Sequence, residues 1–149
     1  MTEPPIELRP ANGRDVDFIA RLIELTMRAY VEATWGAFDP ERTRRTVAQT
    51  VGSGHYSIVR LDGRDIGALA VEREASHIQL AQIYVLPAHQ NRGIGTALVR
   101  RLAEEARAAG KPLRVRVLAV NPVRRLYERE GFAVTSETPE RVLMEWRAG

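Results

Sequence analysis

The stretch "IQLAQIYVLPAHQNRGIGTALVRRLAEEARAAG", residues 78–110, constrains the fold more than any other part of the chain. Its first part is an apolar run of strand length. Its last part carries Ile94, Leu98, Leu102, Ala106 and Ala109 on one helical stripe, is closed by Gly110 and is followed by Pro112. A strand therefore hands over to a helix through two glycines and an arginine. Glycines at 93 and 95 remove side chains from the first turn, whose N–H groups lack helical partners and point outward at the positive end of the helix dipole. A diphosphate can collect several such groups at once, with Gln90 and Arg92 adding side-chain donors. The same glycines also suit a turn that only relieves strain, and these residues alone leave both readings open.

Two familiar glycine motifs are excluded. A P-loop needs Gly-Lys followed by Ser or Thr, whereas this segment reads "GIGT". A dinucleotide fingerprint needs a third glycine at position 98, where Leu98 stands, and the preceding strands read as antiparallel.

The 149 residues fit one domain with a single core, spanning residues 1–149. Apolar residues make up 44% and charged residues 28%, which favours an ordered globular chain over a disordered one. There is no cysteine, so disulfides, thiolate metal ligands and an acyl-cysteine intermediate are all excluded. No apolar run is long enough to span a bilayer, and "MTEPPIELRP" has acids and prolines where a secretion signal needs basic and apolar segments. A cytoplasmic protein with no membrane partner is expected. Between Arg92 and Glu130 the bases outnumber Glu104, Glu105, Glu128 and Glu130, a local positive field suited to a phosphorylated ligand. A nucleic-acid partner is not expected, because no aromatic-rich strand motif accompanies that charge.

Along the chain, "IELRP" reads as a strand and "RDVDFIARLIELTMRAY" as a helix with Val16, Ile19, Leu22, Ile23 and Met27 on its apolar face. Asp39-Pro40 is an N-cap followed by a first-turn proline, opening a second helix. "HYSIVRL" and "RDIGALAVE" flank the hairpin turn Asp62-Gly63, and "HIQLAQIYV" completes a three-stranded antiparallel meander. After the glycine segment and its helix come the strand "LRVRVLAV", a short helix "VRRLYERE" capped by Asn121-Pro122, and the strands "FAVTSE" and "RVLMEW". The fold class expected is α+β in the order β-α-α-β-β-β-α-β-α-β-β, a mostly antiparallel twisted sheet flanked by helices. No repeat or linker interrupts it.

"QNRGIG" resembles the Gln/Arg-x-x-Gly-x-Gly/Ala signature of the GNAT N-acetyltransferase superfamily. The likeness extends through "IYVLPAHQNRGIGTALVRRL" and "VNPVRRLYEREGF", from about residue 77 to 132, in the family's order and spacing. The element order also resembles the family fold. What the resemblance implies is an enzyme that transfers an acetyl group from acetyl-CoA to a primary amine by direct attack in a ternary complex, without a metal. Gln90, Asn91, Arg92, Gly93, Ile94, Gly95 and Thr96 would hold the diphosphate. Backbone groups of Ile83, Tyr84 and Val85 would bind the pantetheine arm, Asn121 would contact it, and Arg124 or Arg125 would meet the remaining phosphate. Relatives often pair through late strands, which offers "RVLMEW" for a homodimer and leaves the oligomeric state open. A non-catalytic acyl-CoA sensor of the same fold is the alternative.

The chemistry needs a neutral amine nitrogen, a donor for the developing oxyanion and a proton for the departing thiolate. Tyr127, six residues after Asn121 and four before Gly131-Phe132, resembles the family tyrosine near the coenzyme sulfur and is the expected proton donor; a backbone N–H at or beside Val85 would meet the oxyanion. Many relatives carry a glutamate where this chain has Gln82, and a glutamine cannot accept a proton. Glu72 on the neighbouring strand is the candidate base, directly or through water, although a glutamate on a meander strand is more often a solvated outward residue. His55, His77 and His89 show no metal-ligand or triad spacing. The acceptor is expected against the first two helices and their connection, near Tyr30, Trp35 and Phe38, with Glu32 and Asp39 attracting an ammonium; the alternative is aromatics in the core and Asp39 as a cap.

Overall fold

A computed structural model describes residues 4–149. The elements are β1 (Ile6–Pro10), α1 (Val16–Trp35), α2 (Pro40–Gly52), β2 (Tyr56–Leu61), β3 (Arg64–Arg73), β4 (Ile78–Val85), α3 (Ile94–Ala109), β5 (Leu113–Leu118), α4 (Arg124–Arg129), β6 (Ala133–Glu137) and β7 (Arg141–Trp146). The seven strands form one sheet in the order β1-β2-β3-β4-β5-β7-β6. Every pairing is antiparallel except β4 with β5. This is the α+β order read from the sequence.

The sheet separates two apolar layers. On one face α3 buries Ile94, Leu98, Leu102 and Ala106 against Leu69, Leu80, Val115 and Met144, together with Tyr127 and Phe132. On the other, Val16, Ile19 and Leu22 of α1 and Val47 and Val51 of α2 pack on Tyr56, Ile58, Ala68 and Ala70. The alternation along β3, with Leu69 and Val71 to one layer and Ala68 and Ala70 to the other, is the period-2 geometry of a strand covered on both sides. At the β2–β3 turn Asp62 and Gly63 have φ of 51° and 75°, the paired left-handed conformation of a tight hairpin.

Two local features shape the sheet centre. Gln82 pairs with Ala70 and Leu80 with Val71, so Ala81 is an extra, unpaired residue that bulges β4. Gly67 lets β3 approach β4 so closely that a Cβ there would overlap the Tyr84 carbonyl oxygen.

The structure corrects four expectations. Helix α1 runs beyond Tyr30 to Trp35, because "VEATW" contains no breaker and the helix ends only at the left-handed Gly36, φ 91°. The α1–α2 connection therefore shrinks to residues 36–39. Ala109, in the last turn of α3, is exposed, and Ala97 and Val99 take its place in the buried set. Strand β7 is paired on both sides, by β5 and β6, so its edge is closed to a second copy. The free edge there belongs to β6.

Candidate functional site

The parallel pairing of β4 and β5 stops early. Ile78, Gln79 and Leu80 pair with Leu113, Arg114 and Val115, and no pair follows, although β4 continues to Val85 and β5 to Leu118. From Ala81 onward the β5-facing edge of β4 is paired with no strand. A cavity of about 760 Å³ opens at this gap, reached by α1 from one side and by the α3 and α4 starts from the other.

Three parts of the lining have distinct chemistry. The first is the start of α3. Asn91 and Gly93 both take left-handed backbone, φ 62° and 80°, and no side chain caps the helix. The first helical bond runs from the Ala97 amide to the Gly93 carbonyl, which leaves the amides of Ile94, Gly95 and Thr96 ahead of the helical ladder. The Gln90 side chain turns back and donates to the Val85 carbonyl at 2.9 Å. It ties the loop to the end of β4, a positioning role in place of the expected side-chain donor to a ligand. The His89 Nδ1 atom is buried without a hydrogen-bond partner among the described residues.

The second part is β4 itself, with Ile83, Tyr84 and Val85 all on the lining. The third is α4 and the loop before it. Asn121 Oδ1 accepts from the Val123 amide at 3.0 Å, and its Nδ2 lies 3.6 Å from the Met27 sulfur, so one side chain caps the α4 turn and joins it to α1 across the gap. Tyr127 is 2% exposed, and its ring meets Phe132 at 5.2 Å and 59°. The Phe132 amide closes back on the Tyr127 carbonyl at 3.0 Å, a reversal that requires Gly131 at φ 94°. Burial pushes the Tyr127 phenol far above its ordinary range, and it does the same to Tyr84, with Tyr56 and Tyr127 as further causes. Both phenols therefore keep their protons at neutral pH.

Of the residues expected from the sequence, Ile83, Tyr84, Val85, Gln90, Asn91, Gly93, Ile94, Gly95, Thr96, Asn121 and Tyr127 meet in this one cavity. Three do not. Arg92 points to solvent outside the lining. Arg124 is drawn off by Glu137 at 3.0 Å and Glu128 at 3.4 Å; Arg125 and Arg129, one helical turn apart, line the cavity in its place, and neither has an ion-pair partner among the described residues. Glu72 lies in a separate hollow, since it stands opposite Gln79, beyond the bulge and away from the gap. The cavity lining contains no Asp or Glu among the described residues.

Of the expected acceptor-side residues only Tyr30 reaches the cavity, with Leu25, Thr26 and Met27 of the same helix. Asp39 caps α2 by accepting from the Glu41 and Arg42 amides, each at 3.1 Å, and Glu32 pairs with Arg28 at 3.4 Å. Trp35 and Phe38 lie under the guanidinium groups of Arg141 and Arg28, each at 5.5 Å. No cluster of metal-ligating side chains occurs among the described residues, and none of their helices is long and apolar enough to cross a membrane.

Residues 52–134 match the family model described as an acetyltransferase (GNAT) domain. Two curated proteins are similar over part of their length. One is the L-methionine sulfoximine/L-methionine sulfone acetyltransferase of Salmonella typhimurium, 40% identical over 60 residues, which are 39% of this chain and 35% of that protein. The other is the mycothiol acetyltransferase of Clavibacter michiganensis, 34% identical over 99 residues, 66% of this chain and 31% of that protein. The chain thus spans about a third of the length of the curated relatives it matches. Among solved structures, the PaiA N-acetyltransferase of Thermoplasma acidophilum in complex with coenzyme A superposes with a TM-score of 0.75 at 17% identity, covering 99% of this chain and 100% of that one. At that identity the likeness concerns the fold.

Proposed function

The chain belongs to the GNAT acetyltransferase family, and from that premise we propose that it transfers the acetyl group of acetyl-CoA to a primary amine in a ternary complex. The observation that carries this reading is the convergence of open α3 amides, an unpaired β4 edge and the Tyr127 phenol on one cavity. The residues fit the parts of coenzyme A. The amides of Ile94, Gly95 and Thr96 suit a diphosphate, and Arg125 and Arg129 suit further phosphate charge. The Ile83 main chain and the Val85 amide, on the unpaired edge of β4, suit an amide-bearing arm laid along the strand beside Tyr84, with the Val85 carbonyl already held by Gln90.

Acetyl-CoA supplies the acyl group: its C–S bond breaks as the acceptor nitrogen forms a C–N bond, the nitrogen gives up a proton and the sulfur takes one. Tyr127 works as a hydrogen-bond donor toward the sulfur. Its phenol is far less acidic than a thiol, whose ordinary pKa is about 8.5, so full proton transfer from Tyr127 would run uphill. A backbone amide at the end of β4 faces the developing oxyanion. The sheet's outer strands, β1 and β6, are the two edges at which a second copy could add a strand, and every residue of β6 is exposed.

The absence of a carboxylate from the cavity lining among the described residues favours a second reading, an acyl-CoA sensor without turnover. Incubation with acetyl-CoA and a panel of amines, followed by free-thiol release, separates the two. Turnover is the expected result; thermal stabilisation by coenzyme A without turnover would favour the sensor, and indifference to coenzyme A would exclude both.

A further inference from the structure

The chain has no cysteine and three methionines, so all of its sulfur is thioether. Of the two methionines among the described residues, Met144 is buried in the core on the α3 face, whereas Met27 is half-buried on the lining of the main cavity. A small oxidant that enters the cavity therefore meets one methionine among the described residues, Met27.

The place of that sulfur is defined by what faces it. Asn121 Oδ1 is fixed by the Val123 amide at 3.0 Å, which turns Nδ2 away from α4 and toward α1, where it lies 3.6 Å from the Met27 sulfur. The contact spans the gap, because α1 reaches the cavity from one side and the turn between β5 and α4 from the other. A thioether is a weak acceptor, so this bond holds the two elements together only loosely.

Oxidation changes its strength. Hydrogen peroxide gives one oxygen atom to the sulfur: an S–O bond forms as the O–O bond breaks, the sulfur loses two electrons, and the peroxide leaves as water. The product side chain is polar, and its oxygen is a strong acceptor on the sulfur that Asn121 already faces. Nδ2 then donates to that oxygen, and α1 is tied to the α4 turn across the opening of the gap. The added oxygen also takes up room on the cavity lining at the level of Asn121. We propose that Met27 is an oxidation site that regulates access of the coenzyme: the thioether admits the arm and the sulfoxide excludes it. This rests on the acetyl-transfer reading, in which Asn121 meets the arm, and adds to it a control by peroxide that methionine sulfoxide reductases reverse.

The test treats the native protein and the volume-conserving Met27→Leu with hydrogen peroxide, removes the oxidant by desalting, locates the sulfoxide by peptide mass spectrometry and titrates each sample with coenzyme A by calorimetry. Met27 is expected to gain one oxygen while Met144 stays reduced, and the affinity of the native protein for coenzyme A to fall about tenfold or more. Met27→Leu keeps the affinity it had before peroxide, which assigns the loss to Met27 and not to the other methionines. The two methionine sulfoxide reductases, acting on the oxidised native protein, return both the mass and the affinity. Acetyl-CoA at saturation during the exposure slows oxidation of Met27 about fivefold or more, because the arm then covers the sulfur. Resistance of Met27 to peroxide, oxidation with unchanged affinity, an equal loss in Met27→Leu, a loss the reductases do not reverse, or no protection by acetyl-CoA would each overturn the switch and leave acetyl transfer standing. Failure of the untreated protein to bind coenzyme A would overturn both.

Discussion

On the α3 face the site is made of main chain: three helix-start amides and the free edge of β4, opened by Gly93 and by the early end of the β4–β5 pairing. On the α1/α2 face the lining is made of side chains, Leu25, Thr26, Met27 and Tyr30, all supplied by α1. The first kind of surface recognises groups that every family member shares, because amides and carbonyls do not vary with sequence. The second changes with each substitution and is where a small domain adjusts its choice of partner.

The sharpest way to break this contrast is Tyr127→Phe. The phenol is the one side chain on the main-chain side given a chemical role, and its loss is expected to lower kcat about 100-fold, or about 2.7 kcal/mol, with coenzyme A affinity little changed. An unchanged kcat would remove side chains from the account of that face. Gly67→Ala follows. The new methyl group collides with the Tyr84 carbonyl, so β3 and β4 must separate, costing about 2 kcal/mol in urea denaturation and weakening coenzyme A binding at the β4 edge. Loss of stability with full affinity would show that the edge is not used.

Asp15→Asn, beneath the start of α1, is the smallest effect and belongs to the side-chain face. The Asp15 carboxylate accepts from Arg9 at 2.8 and 2.9 Å and from the Asn12 amide at 2.9 Å. Chiefly the Arg9 guanidinium, and then the Asn12 amide, holds its pKa below the ordinary carboxylate value. A depressed carboxylate stabilises the fold fully above its unfolded pKa, about 3.9, and ceases to do so as pH falls through its folded value. The variant should lose about 1.5 kcal/mol at pH 7, a modest figure because Arg9 is one-third exposed, and the difference from the native protein should shrink below about pH 4. A difference independent of pH would assign the effect to packing.

The same contrast explains what the sequence made legible. Gly93, Gly95, Asn121 and Gly131 lie within 39 consecutive positions, 93–131, and mark a helix start, a cap and a reversal, whereas Tyr127 among them was legible only through its resemblance to the family tyrosine. The elements were legible for the same reason, through Asp39-Pro40, Asp62-Gly63 and Gly110. What stayed hidden depended on register. Whether Glu72 faces the gap is decided by its pairing with Gln79 and by the Ala81 bulge, which shifts every later residue of β4 against β3. Arg124 and Arg125 are adjacent in the chain, and the fold separates them: Arg124 pairs with Glu128 and with Glu137 of β6, while Arg125 lines the cavity.

The main-chain site is tested most directly by calorimetric titration of the native protein with coenzyme A and with pantetheine, which shares the arm and lacks the diphosphate. The amides of Ile94, Gly95 and Thr96 predict one binding site and an affinity for coenzyme A about 100-fold or more above that for pantetheine. Equal affinity for the two, or no heat with coenzyme A, would contradict the assignment of the α3 start as the diphosphate cradle.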